Sequence, residues 1–222
     1  MRRSTYWLGA LMTVAWIVVG SANAEVTGNL ALTSNYVSRG VSYSDNAPAV
    51  QGGVDYSHSS GIYVGAWGSG VDFDTPTRIE LDVYGGITRP ITDGSSWDIG
   101  VAYYSYPGDS TTNYHELYVG LTYTVLTAKW WFTPDYFGTG GDEQYWDGEL
   151  KWELPHAIGV NLHAGYSVFD PAVGIKDYAD YQGSVSYTYQ SVTFELSYTT
   201  TNQDQFGTWD DGHVVATVTA QF

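Results

Sequence analysis

The sequence predicts an all-β chain: a transmembrane, antiparallel, up-and-down β-barrel of twelve strands, with ten as the alternative count. Three observations predict it. Segments of roughly ten residues alternate apolar and polar side chains along nearly the whole chain, which is the period of a strand with one greasy and one wet face. Tight links alternate with long loops rich in Gly, Asp, Pro and Ser, as in barrels with short turns on one rim and long loops on the other. The last segment, from His213, sets Val214, Ala216, Val218, Ala220 and Phe222 on one face against Thr217, Thr219 and Gln221 on the other.

The elements follow in order. Arg2 and Arg3 precede an apolar run from Leu8 to Val19, and Ala22-Asn23-Ala24 offers small residues for cleavage. Residues 1–24 therefore read as a secretory leader and 25–222 as the barrel, the apolar run being short for a helical span of about 20 residues. The first strand, Glu25 to Val37, sets Val26, Leu30, Leu32 and Tyr36 against Thr27, Asn29 and Thr33. The second, Ala49 to His58, sets Val50, Val54 and Tyr56 against Gln51, Asp55 and Ser57. The third, Gly61 to Phe73, carries Ile62, Val64 and Ala66 but is Gly-rich and weakly phased. Ile79, Leu81, Val83 and Ile87 then oppose Arg78, Glu80 and Asp82, and after a loose link from Pro90 to Ser96, Trp97, Ile99, Val101 and Tyr103 oppose Asp98, Gly100 and Ala102. Leu117, Val119, Leu121 and Tyr123 oppose Glu116, Gly120 and Thr122. The weak third segment and the loose link are what leave ten strands open.

The second half is more regular. Leu126, Ala128, Trp130 and Phe132 oppose Thr127, Lys129 and Thr133; Trp146, Leu150, Trp152 and Leu154 oppose Asp147, Glu149, Lys151 and Glu153. Ile158, Val160, Leu162, Ala164, Tyr166 and Val168 oppose Asn161, His163 and Ser167. Tyr181, Val185, Tyr187 and Tyr189 oppose Asp180, Gln182, Ser184, Ser186 and Thr188, and Val192, Phe194, Leu196 and Tyr198 oppose Thr193, Glu195, Ser197 and Thr199. Thr124-Val125, Pro155-His156-Ala157 and Gln190-Ser191 are the tight links; long loops cover 38–48, 107–113, 134–144, 170–179 and 201–212. A periplasmic β-sandwich would also alternate. Charges on many polar faces, Tyr or Trp near the ends of the apolar faces and the final Phe222 favour the barrel.

Composition narrows the function. The formal net charge is −16; without residues 1–24, which hold two Arg and no acid, 6 basic residues face 24 acidic ones, giving −18. Such a chain repels nucleic acid, whose recognition needs clustered Lys and Arg. There is no Cys, and 20 Tyr with 9 Trp suit membrane interfaces, where an apolar ring meets a polar tip. No nucleophile-elbow pattern marks a Ser, His115 and Glu116 face opposite sides of their strand, and the remaining His lie in turns or on separate polar faces. Neither a catalytic site, a metal site nor a cofactor is expected, and no enzyme activity.

Several stretches carry a family resemblance: Leu32-Thr33-Ser34-Asn35-Tyr36-Val37-Ser38-Arg39-Gly40-Val41-Ser42, Pro48 to Tyr56, Glu80-Leu81-Asp82-Val83-Tyr84-Gly85-Gly86, Tyr103-Tyr104-Ser105-Tyr106-Pro107-Gly108 and Thr133-Pro134-Asp135-Tyr136-Phe137-Gly138. In these the chain resembles the TorF-type porins of proteobacteria, over essentially the whole of 25–222. The resemblance implies an outer-membrane barrel acting as a pore, and brings no established functional residues. The C-terminal strand ending on Phe222 likewise resembles the closing strand of bacterial outer-membrane barrels, whose terminal aromatic is read by the barrel-assembly machinery.

If the apolar faces meet outer-membrane lipid, the charges project inward, because Arg or Lys facing lipid at mid-depth costs about 2–4 kcal/mol. The candidate pore-lining set is then Arg39, Arg78, Glu80, Asp82, Asp98, Glu116, Lys129, Asp147, Glu149, Lys151, Glu153, Asp180 and Glu195. The expected function is passive diffusion of small polar solutes or ions through a monomeric barrel, with cations preferred by the logic of carboxylate rings. The alternatives are a non-conducting structural or surface-interaction barrel whose acids and bases pair internally, and, behind it, a barrel-embedded hydrolase or acyltransferase. The glycines at strand positions such as Gly52, Gly65, Gly85, Gly100, Gly120, Gly148, Gly165 and Gly183, several of them on the outward face, are expected to serve strand bending and aromatic packing in a small barrel rather than room for solute.

Overall fold

A computed structural model describes residues 15–17 and 24–222. The leader expected at 1–24 lies outside them apart from Ala24 and a three-residue strand, Ala15–Ile17, laid antiparallel beside Val26–Gly28.

Twelve antiparallel strands close into a ring. They are β1 (Ala24–Thr33), β2 (Ala49–His58), β3 (Ile62–Gly70), β4 (Ile79–Thr92), β5 (Ser95–Ser105) and β6 (Tyr114–Tyr123). After these come β7 (Leu126–Thr133), β8 (Glu143–Leu154), β9 (Ile158–Phe169), β10 (Tyr178–Tyr189), β11 (Val192–Thr201) and β12 (His213–Gln221). Each strand pairs with its sequence neighbours, and β1 closes the ring by pairing with β2 on one edge and, from Asn29 to Thr33, with Gln221 to Thr217 of β12 on the other. Among the described residues the closed ladder leaves no open sheet edge, so its backbone N–H and C=O groups are paired strand to strand.

The structure decides for twelve strands. The weakly phased third segment forms β3, and the link expected from Pro90 to Ser96 is a two-residue turn, Asp93-Gly94, between strands that run on to Thr92 and from Ser95. Proline has no N–H for the ladder, and the register shifts between Pro90 and Thr92. The turns on this rim use left-handed residues: Gly94, Thr124, His156, Ala157 and Gln190 all have positive φ. On the other rim the loops are longer, spanning 34–48 (L1), 71–78 (L2), 106–113 (L3), 134–142 (L4), 170–177 (L5) and 202–212 (L6).

The faces sort as the alternation predicts. Val214 is 67% exposed and Tyr123 65%, whereas Thr33, Glu80 and Glu116 on the inner face are at most 1–4% exposed. Exposed Val, Leu, Ile, Tyr and Phe form a belt around the ring, where soluble monomers rarely show contiguous apolar patches beyond a few hundred Å² (roughly 300–600). Two segments run shorter than expected, because β1 stops at Thr33 and β3 at Gly70. Tyr36, expected on the outer face with Leu30 and Leu32, instead lies in L1, its ring 5.4 Å from Trp67 and 5.3 Å from Tyr43.

Candidate channel lumen

The inner wall is asymmetric. Apart from Tyr178 at the loop end of β10, the Tyr and Trp that project inward from the described strands come from the arc β3–β8: Tyr63, Trp67, Tyr84, Tyr104, Tyr114, Tyr118, Trp131 and Tyr145. Four of these rings lie over inward glycines, Tyr63 over Gly86, Tyr84 over Gly65, Tyr118 over Gly100 and Tyr145 over Gly165, where a Cβ would overlap the ring. On the arc β9–β1 the inward positions are mostly Thr, Ser, Asn and Gln. Short side chains there leave a cavity of about 390 Å³ between a hydroxyl and amide wall (Asn29, Thr33, Thr193, Ser197, Thr199, Thr217) and an acidic wall (Asp82, Asp147, Glu149, Asp180, Glu195). At about 30 Å³ per water, that volume holds roughly a dozen.

A buried ion pair lies within the filled arc. Lys129 Nζ lies 3.5 Å from Asp98 and sits over the rings of Tyr118 and Trp131 at 5.1 and 5.4 Å. Tyr63 Oη donates to the same carboxylate at 2.7 Å and meets Tyr118 Oη at 2.5 Å, while Tyr84 Oη bonds Asp55 nearby. The Lys129–Asp98 pair and its tyrosines satisfy one another inside the wall, as burial of charge requires, while Asp55 Oδ2 is left without a partner among the described residues.

L1 folds into the barrel. Val37–Ser38 pairs with Val41–Ser42 as a miniature hairpin whose turn residues, Arg39 and Gly40, have φ of 48° and 78°. Gly40 packs so closely against Asp180 of β10 and Thr201 of β11 that a Cβ would overlap both. The Arg39 side chain meanwhile reaches β6 and β8. Its Nη2 donates to both oxygens of Glu116 at 2.8 Å, its Nη1 to Glu143 at 2.6 Å, and its guanidinium lies 4.3 Å over the Tyr145 ring. Tyr104 Oη donates to Glu116 at 2.8 Å. The hairpin tip thus bridges the lumen at the outer end of the cavity.

Above the tip, the loops are joined by aromatic contacts. Tyr43 of L1 meets Phe73 of L2 at 5.1 Å, Phe73 meets Tyr106 of L3 at 5.8 Å, and Tyr106 meets Phe137 of L4 at 5.1 Å. Tyr136, Phe169 and Tyr178 continue the cluster toward Phe206 of L6. A second, mostly apolar cleft of about 250 Å³ opens among these rings. Burial pushes the hydroxyl of Tyr43 well above the usual tyrosine range, with Glu80 adding to the effect.

Below the tip, His163 bridges two carboxylates, with Nε2 2.8 Å from Asp180 and Nδ1 3.1 Å from Asp147. Tyr145 Oη donates to Asp180 at 3.1 Å. Tyr145 Oη also lies 3.1 Å from His163 Nε2, so these side chains form one polar cluster on the cavity wall.

The residue range 19–222 matches the family model described as a bacterial protein of unknown function, Gcw_chp. The chain belongs to that family. The Gcw_chp barrel is similar in fold to the NanC porin, with 10% identity and a TM-score of 0.63 over 88% of this chain and 98% of that one. It is similar also to the KdgM porin, with 9% identity and a TM-score of 0.60 over 90% of this chain and 98% of that one. A structure of KdgM in complex with disordered oligogalacturonate aligns at 9% identity and a TM-score of 0.59, over 90% and 98% of the two chains. No curated protein matches the sequence.

Within the Gcw_chp barrel the predicted charges separate into groups. Arg39, Glu116, Asp82, Asp147, Asp180, Glu149 and Glu195 meet at the cavity or at its outer end. Glu80 is buried beside them, its Oε1 accepting from Tyr36 Oη at 3.4 Å. Asp98 and Lys129 belong to the filled arc. Lys151 pairs with Glu149 at 2.9 Å toward the short-turn rim, where Glu153 is exposed at the end of β8. Arg78 is the correction. It precedes β4 in L2, its side chain is 61% exposed, and it donates to Asp72 and to loop carbonyls rather than facing the lumen. Alternation had assigned it to the strand's polar face, but the strand begins one residue later. The set also lacked Glu143, which the loop reading of 134–144 hid, and the L1 hairpin fold. The pair Arg39-Gly40 at a turn was the available signal.

Proposed function

We propose that this Gcw_chp protein is a narrow outer-membrane channel through which small polar solutes diffuse passively, cations in preference to anions. One observation carries this: the cavity is walled by Asp82, Asp147, Glu149, Asp180 and Glu195, while the basic side chains that line it, Arg39 and His163, are already engaged by carboxylates. A lumen with surplus fixed negative charge concentrates cations and repels anions. The oligogalacturonate of the KdgM complex is a polyanion; the acidic wall here disfavours such a solute, so the shared fold does not extend to a shared cargo. The apolar belt suits lipid contact, and the resemblance to TorF-type porins agrees with the channel reading. Export by a cleavable leader and insertion by the barrel-assembly machinery through β12 belong to the same proposal. A second reading, a non-conducting surface barrel, draws on the aromatic cluster that joins the loops over the mouth.

Planar-bilayer recording with the purified barrel under a KCl gradient tests both. A reversal potential toward that of K⁺ is expected. An anion-selective current defeats the cation preference, and a barrel that inserts without conducting favours the second reading.

A further inference from the structure

The turn that carries Arg39 is built for a different residue. A two-residue hairpin turn with positive φ at both central positions favours Asn-Gly or Asp-Gly, because a larger side chain in the left-handed region is crowded against its own backbone. Arg39 occupies the first of these positions at φ 48°. What it gains is its side-chain environment. Glu116 accepts from it with both oxygens, Glu143 with one, and the Tyr145 ring covers the guanidinium face.

Every wall of that box stands on the barrel, on β6 and β8; only the cation is supplied by a loop. Two carboxylates against one guanidinium leave surplus negative charge. Glu143 Oε1 has no protein hydrogen-bond partner, although the residue is 1% exposed. Directly inward, the acidic cavity of about 390 Å³ continues from Arg39 to Asp180 and Asp147.

We infer that the Glu116–Glu143–Tyr145 box is the channel's recognition site for solutes bearing a guanidinium or alkylammonium group, and that Arg39 is a tethered surrogate which such a solute displaces. This rests on the channel reading and names its solute class. Planar carboxylate pairing and ring stacking suit guanidinium best; a neutral isostere offers no charge to repay desolvation of two carboxylates.

The test is calorimetric titration of the detergent-purified full-length barrel with argininamide, and with citrullinamide as the neutral isostere, both Nα-acetylated so that the guanidinium is the sole charge that distinguishes them. Because Arg39 competes for the site in the native protein, Arg39→Gln is expected to bind argininamide at least about tenfold more tightly than wild type. Citrullinamide should bind neither, and adding Glu116→Gln to Arg39→Gln should abolish the argininamide signal. Equal argininamide affinity in wild type and Arg39→Gln, or equal binding of the two amides, overturns the inference. Should Arg39→Gln fail to fold, refolding is repeated with each amide: rescue by argininamide alone supports the site, and rescue by neither overturns it. Titration needs no current, so its outcome is separable from that of the bilayer recording. A barrel that binds argininamide but passes no ions retains the site and loses the channel.

Discussion

Neutralising Glu195 separates a conducting corridor from a merely polar interior. Glu195 projects from β11 into the cavity, opposite Thr217 of β12 and Ser186 of β10. Gln keeps its shape. A monovalent cation passing about 5 Å from the carboxylate in a water-filled lumen gains about 0.8 kcal/mol by Coulomb's law. At 0.1 M salt, where the Debye length is about 10 Å, screening trims this to about 0.5 kcal/mol. An anion at the same point loses as much, so Glu195→Gln should lower the cation-to-anion permeability ratio about fivefold. The assay is the reversal potential of single channels in a KCl gradient centred on 0.1 M. At 1 M salt, with a Debye length near 3 Å, the same substitution should change the ratio less than about twofold. Arg78→Gln is the control, because Arg78 is exposed in L2 and paired with Asp72. If Arg78→Gln moves the ratio and Glu195→Gln does not, ions do not pass along the corridor and the proposed path is wrong.

Three further outcomes follow from the geometry. Lys129→Met strands Asp98 inside the filled arc and should cost about 3–5 kcal/mol of unfolding free energy by tryptophan fluorescence in denaturant, while Lys129→Met with Asp98→Asn should recover most of it; equal losses in both would mean the pair does not set the energetics. Phe137→Ala removes a ring that contacts Tyr43, Phe73, Tyr106 and Tyr114. It should cost about 3–5 kcal/mol locally and speed proteolysis of L1 and L4 without melting the barrel, and unchanged cleavage rates would show that the loops are not held by the cluster. Val218→Arg on the outer face should destabilise the bilayer-inserted barrel by about 2–4 kcal/mol, whereas Thr217→Arg on the inner face should not; equal effects would contradict the assignment of faces.

The wall was legible because it depends on local rules. Side chains alternate whatever the rest of the chain does, so the faces of β7 to β12 follow directly from residues such as Leu196 and Ser197. The asymmetry of the lumen was half legible. The Ser and Thr inner faces of β10 and β11 could be read, but Tyr63 and Trp67 sit in the Gly-rich third segment, where no phase stood out. The box was legible only in its parts. Arg39 and Glu116 were both assigned to the lumen, but Glu143 fell inside the expected 134–144 loop, and the pairing joins residues 77 and 104 positions apart in sequence. No periodicity encodes the inward fold of a loop. Arg78 shows the converse error, for alternation carried one residue past the strand's start puts a loop side chain in the lumen.

Of the stretches singled out in the sequence, Pro48 to Tyr56 runs down β2 away from the loops, but the others come together in space. Tyr36 to Ser42 forms the hairpin that crosses the lumen; Glu80 and Asp82 lie beside it; Tyr104 braces Glu116, while Tyr106 packs on Phe137. Tyr136 and Phe137 cover the same point from L4. Alternation specifies a wall that many sequences can build, since any apolar residue outside and any small polar residue inside will serve. Closing its outer mouth is more demanding: Gly40 must pass against Asp180 and Thr201, Arg39 must hold a left-handed turn, and rings from at least four loops must interlock. Most of these stretches therefore describe the mouth, and the periodicity describes the barrel. A barrel of this build is distinguished by what it holds in its mouth, and here that is a guanidinium between two carboxylates.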